Sequence, residues 1–192
     1  MNRFPPPIVR RGFPVYELPR LWQWCVSFRH QVMDDFGPQD EDAFVSRWLQ
    51  LVDNGLMTWA VYRPLDGVEE LGGIITVEKM NPVNGSAFFL FKRPFWGRHT
   101  SEPAAKEALR QAFEQDPEMQ KITLSIFADN HQLSRLAHDL GYRREGRIRQ
   151  ATMRRGQAID TLVLGLTRKD FESCLHSSPP SSEAQLELSA AS

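Results

Sequence analysis

The sequence predicts a mixed α/β layer rather than a regular doubly wound sheet, and three observations carry that prediction. Apolar residues switch several times between helical and alternating spacing, in the order α-α-β-β-β-α-β-α-β-β. Three strand-like runs are consecutive with only turns between them, as in an antiparallel meander and unlike alternating βα units. The chain has 192 residues, 41% of them hydrophobic, which is enough to bury one sizeable core.

Each element has a local reason. Leu21, Cys25, Phe28 and Val32 recur at helical spacing. Phe44, Trp48, Leu51 and Val52 do the same, after the acidic start Asp40-Glu41-Asp42 and before the stop Asn54-Gly55. Residues 57–63, 71–79 and 86–92 are the meander strands, with Pro64 and Gly67 after the first and Asn81, Pro82, Asn84 and Gly85 after the second. A loop, 93–101, leads to a helix beginning near Pro103, with Ala105, Ala108, Leu109, Ala112 and Phe113 on one stripe. Residues 121–128 form a strand. Residues 131–140 form a helix with Leu133, Leu136, Ala137 and Leu140 inward and Gly141 as its left-handed cap. Strands near 144–153 and 160–166 close the order around the turn Arg155-Gly156, and a strand at 14–18 is an optional first member.

The ends differ from this middle. Residues 1–14 hold four prolines and are expected to resist regular structure, and residues 173–192, rich in Ser, are expected to be a disordered, solvated tail. The folded domain is therefore expected at 15–172. With 23 Lys plus Arg against 24 Asp plus Glu, nothing pulls the chain toward nucleic acid or an anionic surface. Two cysteines, Cys25 and Cys174, make neither a disulfide scaffold nor a Cys-rich zinc site, and they suit a reducing cytoplasm. The longest apolar stretch, 87–91, is too short to span a bilayer, and the first residues show no secretory signal. His30, His131, His138 and His176 show no metal-ligand spacing, so no metal is expected. A cytoplasmic monomer or homodimer is the expectation.

The strand–loop–helix at 86–113 is the most informative element. A loop opening a helix presents free backbone N–H groups, with the helix dipole behind them, and so suits an anion such as a pyrophosphate. Arg93 and Arg98 add charge. Further on, residues 143–155 hold six arginines: Arg143, Arg144, Arg147, Arg149, Arg154 and Arg155. With only Tyr142 nearby for stacking and five acids at 34–42 in compensation, a solvated strand face, or a contact with the 3′-phosphate of a CoA, is favoured over RNA binding.

Three local patterns carry a resemblance. The first is Trp96-Gly97-Arg98-His99-Thr100-Ser101 between a strand and a helix. The second is Asn130 and Ser134 on a helix ending in Leu140-Gly141-Tyr142. The third is Glu145-Gly146 followed by the hairpin from Gly156 to Asp160. Over roughly 10–172 the chain resembles the GNAT superfamily of acyl-CoA-dependent N-acyltransferases, and most of all its ribosomal-protein N-acetyltransferase (RimJ/RimL-like) branch. The resemblance implies a mixed, mostly antiparallel sheet flanked by helices, with the fourth strand (86–92) and fifth strand (121–128) splayed around the pantetheine arm of acetyl-CoA. It implies that backbone at Phe89, Leu90 and Phe91 pairs with the arm, and that Trp96, Gly97, Arg98, His99, Thr100 and Ser101 hold the pyrophosphate. It implies that Asn130 anchors the arm and that the Ser134 hydroxyl protonates the departing thiolate. The acceptor, a protein N-terminus or small primary amine, attacks the thioester directly.

The chain departs from the pattern at His99, where the family has glycine, and mildly at Ser101. The fourth strand also lacks the Glu that many members use as a base, leaving Glu78 as the nearest carboxylate, or water. The tyrosine acid of other branches falls at Ala137. Trp22 and Trp24 are candidates for the acceptor cleft. The rival reading is a non-catalytic module of the same fold that binds an acyl-CoA or a protein partner. A nucleic-acid module built on the arginine-rich hairpin ranks last.

Overall fold

The computed structural model describes residues 5–65, 68–97 and 99–176. Seven strands form one sheet in the order β1-β2-β3-β4-β5-β7-β6, with β1 at Ile8–Arg11, β2 at Met57–Leu65, β3 at Val68–Asn81, β4 at Asn84–Phe91, β5 at Lys121–Phe127, β6 at Arg143–Arg154 and β7 at Gln157–Thr167. Among the described strands only β4 and β5 run parallel, and every other neighbouring pair is antiparallel. The helices are α1 Leu18–Ser27, α2 Arg29–Val32, α3 Glu41–Asp53, α4 Ser101–Gln115, α5 His131–Asp139 and α6 Arg168–His176. The expected mixed layer and its predominantly antiparallel sheet are both present.

Each face of the sheet buries its own apolar cluster. The period of two along a strand divides the residues between them. On β3, Ile75 and Val77 point to one face and Ile74 to the other. On β4, Phe89 and Phe91 join the first face and Leu90 the second. The first face takes α4, α5 and Phe171 of α6. Small residues of α4, Ala104, Ala105, Ala108 and Ala112, are fully buried there, and their size lets the helix approach the sheet closely. The second face takes α1 and α3 through Leu18, Leu21, Trp22, Cys25 and Trp48.

The structure differs from the sequence reading at four places. The strand expected at 14–18 is a 3-10 turn at Val15–Glu17 followed directly by α1, whose first turn holds Pro19 where a missing N–H costs nothing. The first strand lies earlier, at Ile8–Arg11, inside the segment expected to resist structure. Pro5, Pro6 and Pro7 only lead up to it, and it is an edge strand with one partner, β2. The helix expected through Leu21–Val32 breaks at Phe28, where φ/ψ of −110°/20° leave the helical region, so α2 is a separate turn. The folded part also runs past Glu172 to the end of α6. There Phe171 is buried against Phe113, with ring centroids 5.6 Å apart. Arg168 donates to the carbonyls of Phe113 and Asp116 at the end of α4. Residues 177–192, most of the expected tail, lie outside the described residues. No described helix is long and apolar enough to cross a membrane.

Candidate functional site

The site begins where two strands part. β4 and β5 pair only from Asn84 to Ala87 against Lys121 to Leu124. Beyond that point β4 stays with β3, and β5 stays with β7. The wedge between them is a cavity of about 70 Å³, lined by Phe89, Phe91, Trp96, Ile126 and Asn130 and roofed by α2. The Lys92 amide donates to Gly72 O at 2.8 Å. Backbone groups of successive residues alternate sides along an antiparallel pair, so Leu90 faces β3 while Phe89 and Phe91 direct their N–H and C=O groups into the wedge. The Phe91 carbonyl there accepts the Trp96 indole N–H at 3.0 Å, and the two rings meet edge to face. An extended chain carrying amides fits such an unpaired edge by strand addition.

At the top of β4 a 3-10 turn, Arg93–Phe95, leads into the loop before α4. Its anchor is Phe95, fully buried over Gly72. A Cβ on Gly72 would lie 2.0 Å from the Phe95 ring. The N–H cluster expected at this helix start is present, but it is closed on the protein's own backbone. Gly97 N–H donates to Ser101 Oγ at 2.9 Å, while the N–H groups of Thr100, Ser101 and Glu102 converge on Gly97 O at 3.2, 3.1 and 3.4 Å. Gly97 has φ of +127°, a conformation open to glycine and strained for other residues. His99 has no positive φ and is exposed, so the glycine of the family pattern is not required at that position. Arg98 lies outside the described residues. Beside the loop, a groove of about 390 Å³ between α4 and α5 is lined by Ser101, Glu102, Gln132, Arg135 and Asp139. Arg135 supplies its cation, a residue the motif comparison did not single out.

Asn130 caps α5, its Oδ1 accepting Leu133 N–H at 3.1 Å while its Nδ2 donates to Gln31 O at 3.2 Å. It thus ties the wedge floor to its roof. Ser134 is half-buried on α5, and its hydroxyl makes no hydrogen bond with any described residue. The structure does not bring it into the lining of the wedge. The α5 residue that reaches the lining is its neighbour Leu133.

A second cavity, of about 270 Å³, lies on the opposite face between α1, α3 and the β3–β4 pair, and Phe88 lines both cavities. Phe44, Arg47, Trp48 and Leu51 of α3 form one wall at helical spacing, and Thr76, Glu78 and Ser86 form the floor. Glu78, half-buried and paired with Ser86 across the strands, is thereby inside a chamber adjoining the wedge. Its carboxylate has no hydrogen-bond or ion-pair partner among the described residues. Trp22 packs on Phe44 at 5.4 Å between centroids, behind this wall rather than in it. Cys25 also lines the chamber, and burial pushes its thiol up to about 12.

One connection had only a charge-balance signal in the sequence, the acids at 34–42 against the arginines at 143–155. The loop after α2 is strapped to the β6–β7 turn: Asp35 accepts from Arg155 N–H at 3.0 Å and Gly156 N–H at 2.9 Å, and Asp34 accepts from the Thr152 hydroxyl at 2.6 Å. Three of the six clustered arginines are paired. Arg143 pairs with Asp170, Arg147 with Asp160, and Arg154 with Asp129. The last pair holds the Asp129 carboxyl below its ordinary range, and the Gln150 amide, helped by Arg147, does the same to Asp160. Among the described residues no group of three or more metal-ligating side chains gathers.

Residues 11–143 match the family model described as an acetyltransferase (GNAT) domain. No curated protein matches the chain. Among solved structures, the fold is similar to spermidine N-acetyltransferase from Vibrio cholerae in complex with CoA and spermine, with TM-score 0.70 and 14% identity over 86% of this chain and 98% of that one. It is also similar to ribosomal-protein-alanine N-acetyltransferase from Brucella melitensis, with TM-score 0.67 and 14% identity over 83% of this chain and 99% of that one.

Proposed function

The chain belongs to the GNAT acetyltransferase family, and from that premise we propose that it transfers an acetyl group from acetyl-CoA to a primary amine in a ternary complex, within the ribosomal-protein N-acetyltransferase branch and in the cytoplasm. The observation that carries the proposal is the parting of β4 from β5, which leaves Phe89 and Phe91, paired with β3 on one side, without a strand partner on the side that faces the lined wedge.

Acetyl-CoA supplies the activated acyl group as a thioester. Phe89 and Phe91 hold its amide-bearing arm by strand-like bonds, Leu90 packs behind them, and Asn130 fixes the floor beneath it. Trp96 closes the wedge toward the loop. The N–H groups of Thr100, Ser101 and Glu102, now on Gly97 O, turn to the pyrophosphate, with Gly97 supplying the freedom for that change. Arg98 and Arg135 add charge, and His99 an imidazole N–H, from the loop and the neighbouring groove.

The amine enters from the second chamber and forms its N–C bond to the acetyl carbonyl carbon as the C–S bond breaks. Glu78 takes the proton released by nitrogen, directly or through water. Ser134, whose hydroxyl makes no hydrogen bond with a described residue, supplies a proton through water to the departing thiolate.

The deciding experiment is calorimetric titration of acetyl-CoA into the full chain and into Ser101→Pro. Wild type should bind at one site and the variant should lose at least tenfold in affinity, because it removes one loop N–H and the hydroxyl that closes the turn. Absence of binding to wild type overturns the proposal. Binding without turnover on any amine favours the non-catalytic module.

A further inference from the structure

The chamber on the α1–α3 face is too specific in its chemistry to be a generic amine entrance. Its wall is apolar and aromatic: Phe44 and Trp48 lie 6.1 Å apart by ring centroids, and Phe88 closes the side toward the wedge. Two charged side chains reach its lining, Glu78 from the sheet and Arg47 from α3. They have opposite sign, and neither has a hydrogen-bond or ion-pair partner among the described residues. Arg47 stands on the exposed side of α3, whereas Glu78 is half-buried beside Ser86, so the cation marks the rim and the carboxylate the floor. Of the five acids at 34–42, three are engaged elsewhere. Asp34 and Asp35 hold the hairpin, and Asp40 caps α3 by accepting Ala43 N–H at 2.8 Å.

Resting on the acetyl-transfer reading of the site, we infer that the acceptor is a small zwitterionic amine with an apolar, preferably aromatic, body: a hydrophobic α-amino acid. Its ammonium meets Glu78, its side chain fills the Phe44–Trp48 wall, and its carboxylate meets Arg47. A polyamine is disfavoured by the same groups. It presents several ammoniums to one carboxylate and one guanidinium, and a like-charge pair at the rim opposes entry.

The test is calorimetric binding of three probes, phenylalanine, phenethylamine and spermidine, to the full chain with and without CoA, followed by turnover with acetyl-CoA. Phenylalanine should bind most tightly and phenethylamine, which lacks the carboxylate, roughly tenfold more weakly. Spermidine should be weakest. Arg47→Gln should reduce phenylalanine affinity about tenfold more than phenethylamine affinity, and Arg47→Lys should recover part of that difference. A preference for spermidine, an equal loss of both aromatic probes in Arg47→Gln, or no binding of phenylalanine in either state overturns the inference. Phenylalanine binding in a protein that fails to bind acetyl-CoA would overturn the acetyl-transfer reading and leave the chamber's assignment standing.

Discussion

Glu78 is half-buried on its strand, and its carboxylate has no hydrogen-bond or ion-pair partner among the described residues. Its neighbour across the sheet is Ser86, and the chamber around it is apolar apart from Thr76 and Arg47, so no second carboxylate in the lining competes as a proton acceptor. Glu78→Gln preserves shape and removes the base. Turnover with a competent amine should fall by about 10²–10⁴-fold, the usual contribution of general acid–base assistance, while acetyl-CoA affinity stays within about twofold. Steady-state kinetics beside titration measures both, and unchanged turnover would assign the proton to water alone. Cys25 gives a second residue-level prediction. Its thiol is buried and pushed up to about 12, so almost no thiolate exists at pH 8. N-Ethylmaleimide should therefore modify the half-buried Cys174 well before Cys25, as read by mass spectrometry of peptides over time.

At the scale of elements, the wedge depends on how β3 bends beneath the loop. The pairing of β2 with β3 shifts register between Val61 and Tyr62, and Gly72 is the extra residue. Its missing side chain makes room for the Phe95 ring, which seats the 3-10 turn at the mouth of the wedge. Gly72→Ala places a methyl group inside that ring. Overpacking of this kind costs about 1–3 kcal/mol, so the melting temperature should drop by roughly 5 °C. Acetyl-CoA binding should weaken as well, because the displaced Phe95 carries the loop with it. Calorimetry of melting and of binding on one preparation checks the pair, and a melting loss with full affinity would show that the loop is positioned independently of Phe95.

Across the whole molecule, two paired carboxylates connect elements that sequence keeps apart and a third braces the β6–β7 hairpin. Asp116 takes Lys79 Nζ at 2.7 Å, joining the end of α4 to β3. Asp129 pairs with Arg154 between the α5 approach and β6, and Asp160 accepts the Gln150 amide at 2.8 Å within the hairpin. All three are held below the ordinary aspartate value by these partners, Lys79, Arg154 and the Gln150 amide in turn. The sign follows from linkage. The unfolded chain takes up protons first on acidification, near pH 4, so the stabilisation is complete above that value and is lost as pH falls through the depressed native ones. The melting temperature should be nearly flat from about pH 7 to 5 and decline below about pH 4. Asp129→Asn should lower the neutral value and flatten the acid decline, both read by scanning calorimetry. A melting temperature that rises on acidification below pH 4 would contradict the assignment.

The sequence by itself determined most of the local elements and their order, because spacing and turn residues act within one window of chain; the first strand, the break at Phe28 and α6 escaped it. Phe44, Trp48 and Leu51 announce α3, the alanines of 104–112 announce α4, and Gly141, at φ +91°, announces the end of α5. It also marked the strand–loop–helix at 86–113, since a helix start is a local event. Two features needed the tertiary structure outright, and the wedge, which the family resemblance implied, has its physical cause there too. The wedge exists because β4 and β5 each keep a different partner past Ala87, a matter of long-range pairing that neither strand's residues encode. The N–H groups at 97–102 were expected open and are instead gathered on Gly97 O, because a backbone carbonyl in reach satisfies donors that composition alone leaves unassigned. The chamber that puts Arg47 and Glu78 in one lining joins residues 31 apart in sequence on different layers of the fold, and only the packing of α3 over the sheet makes them neighbours.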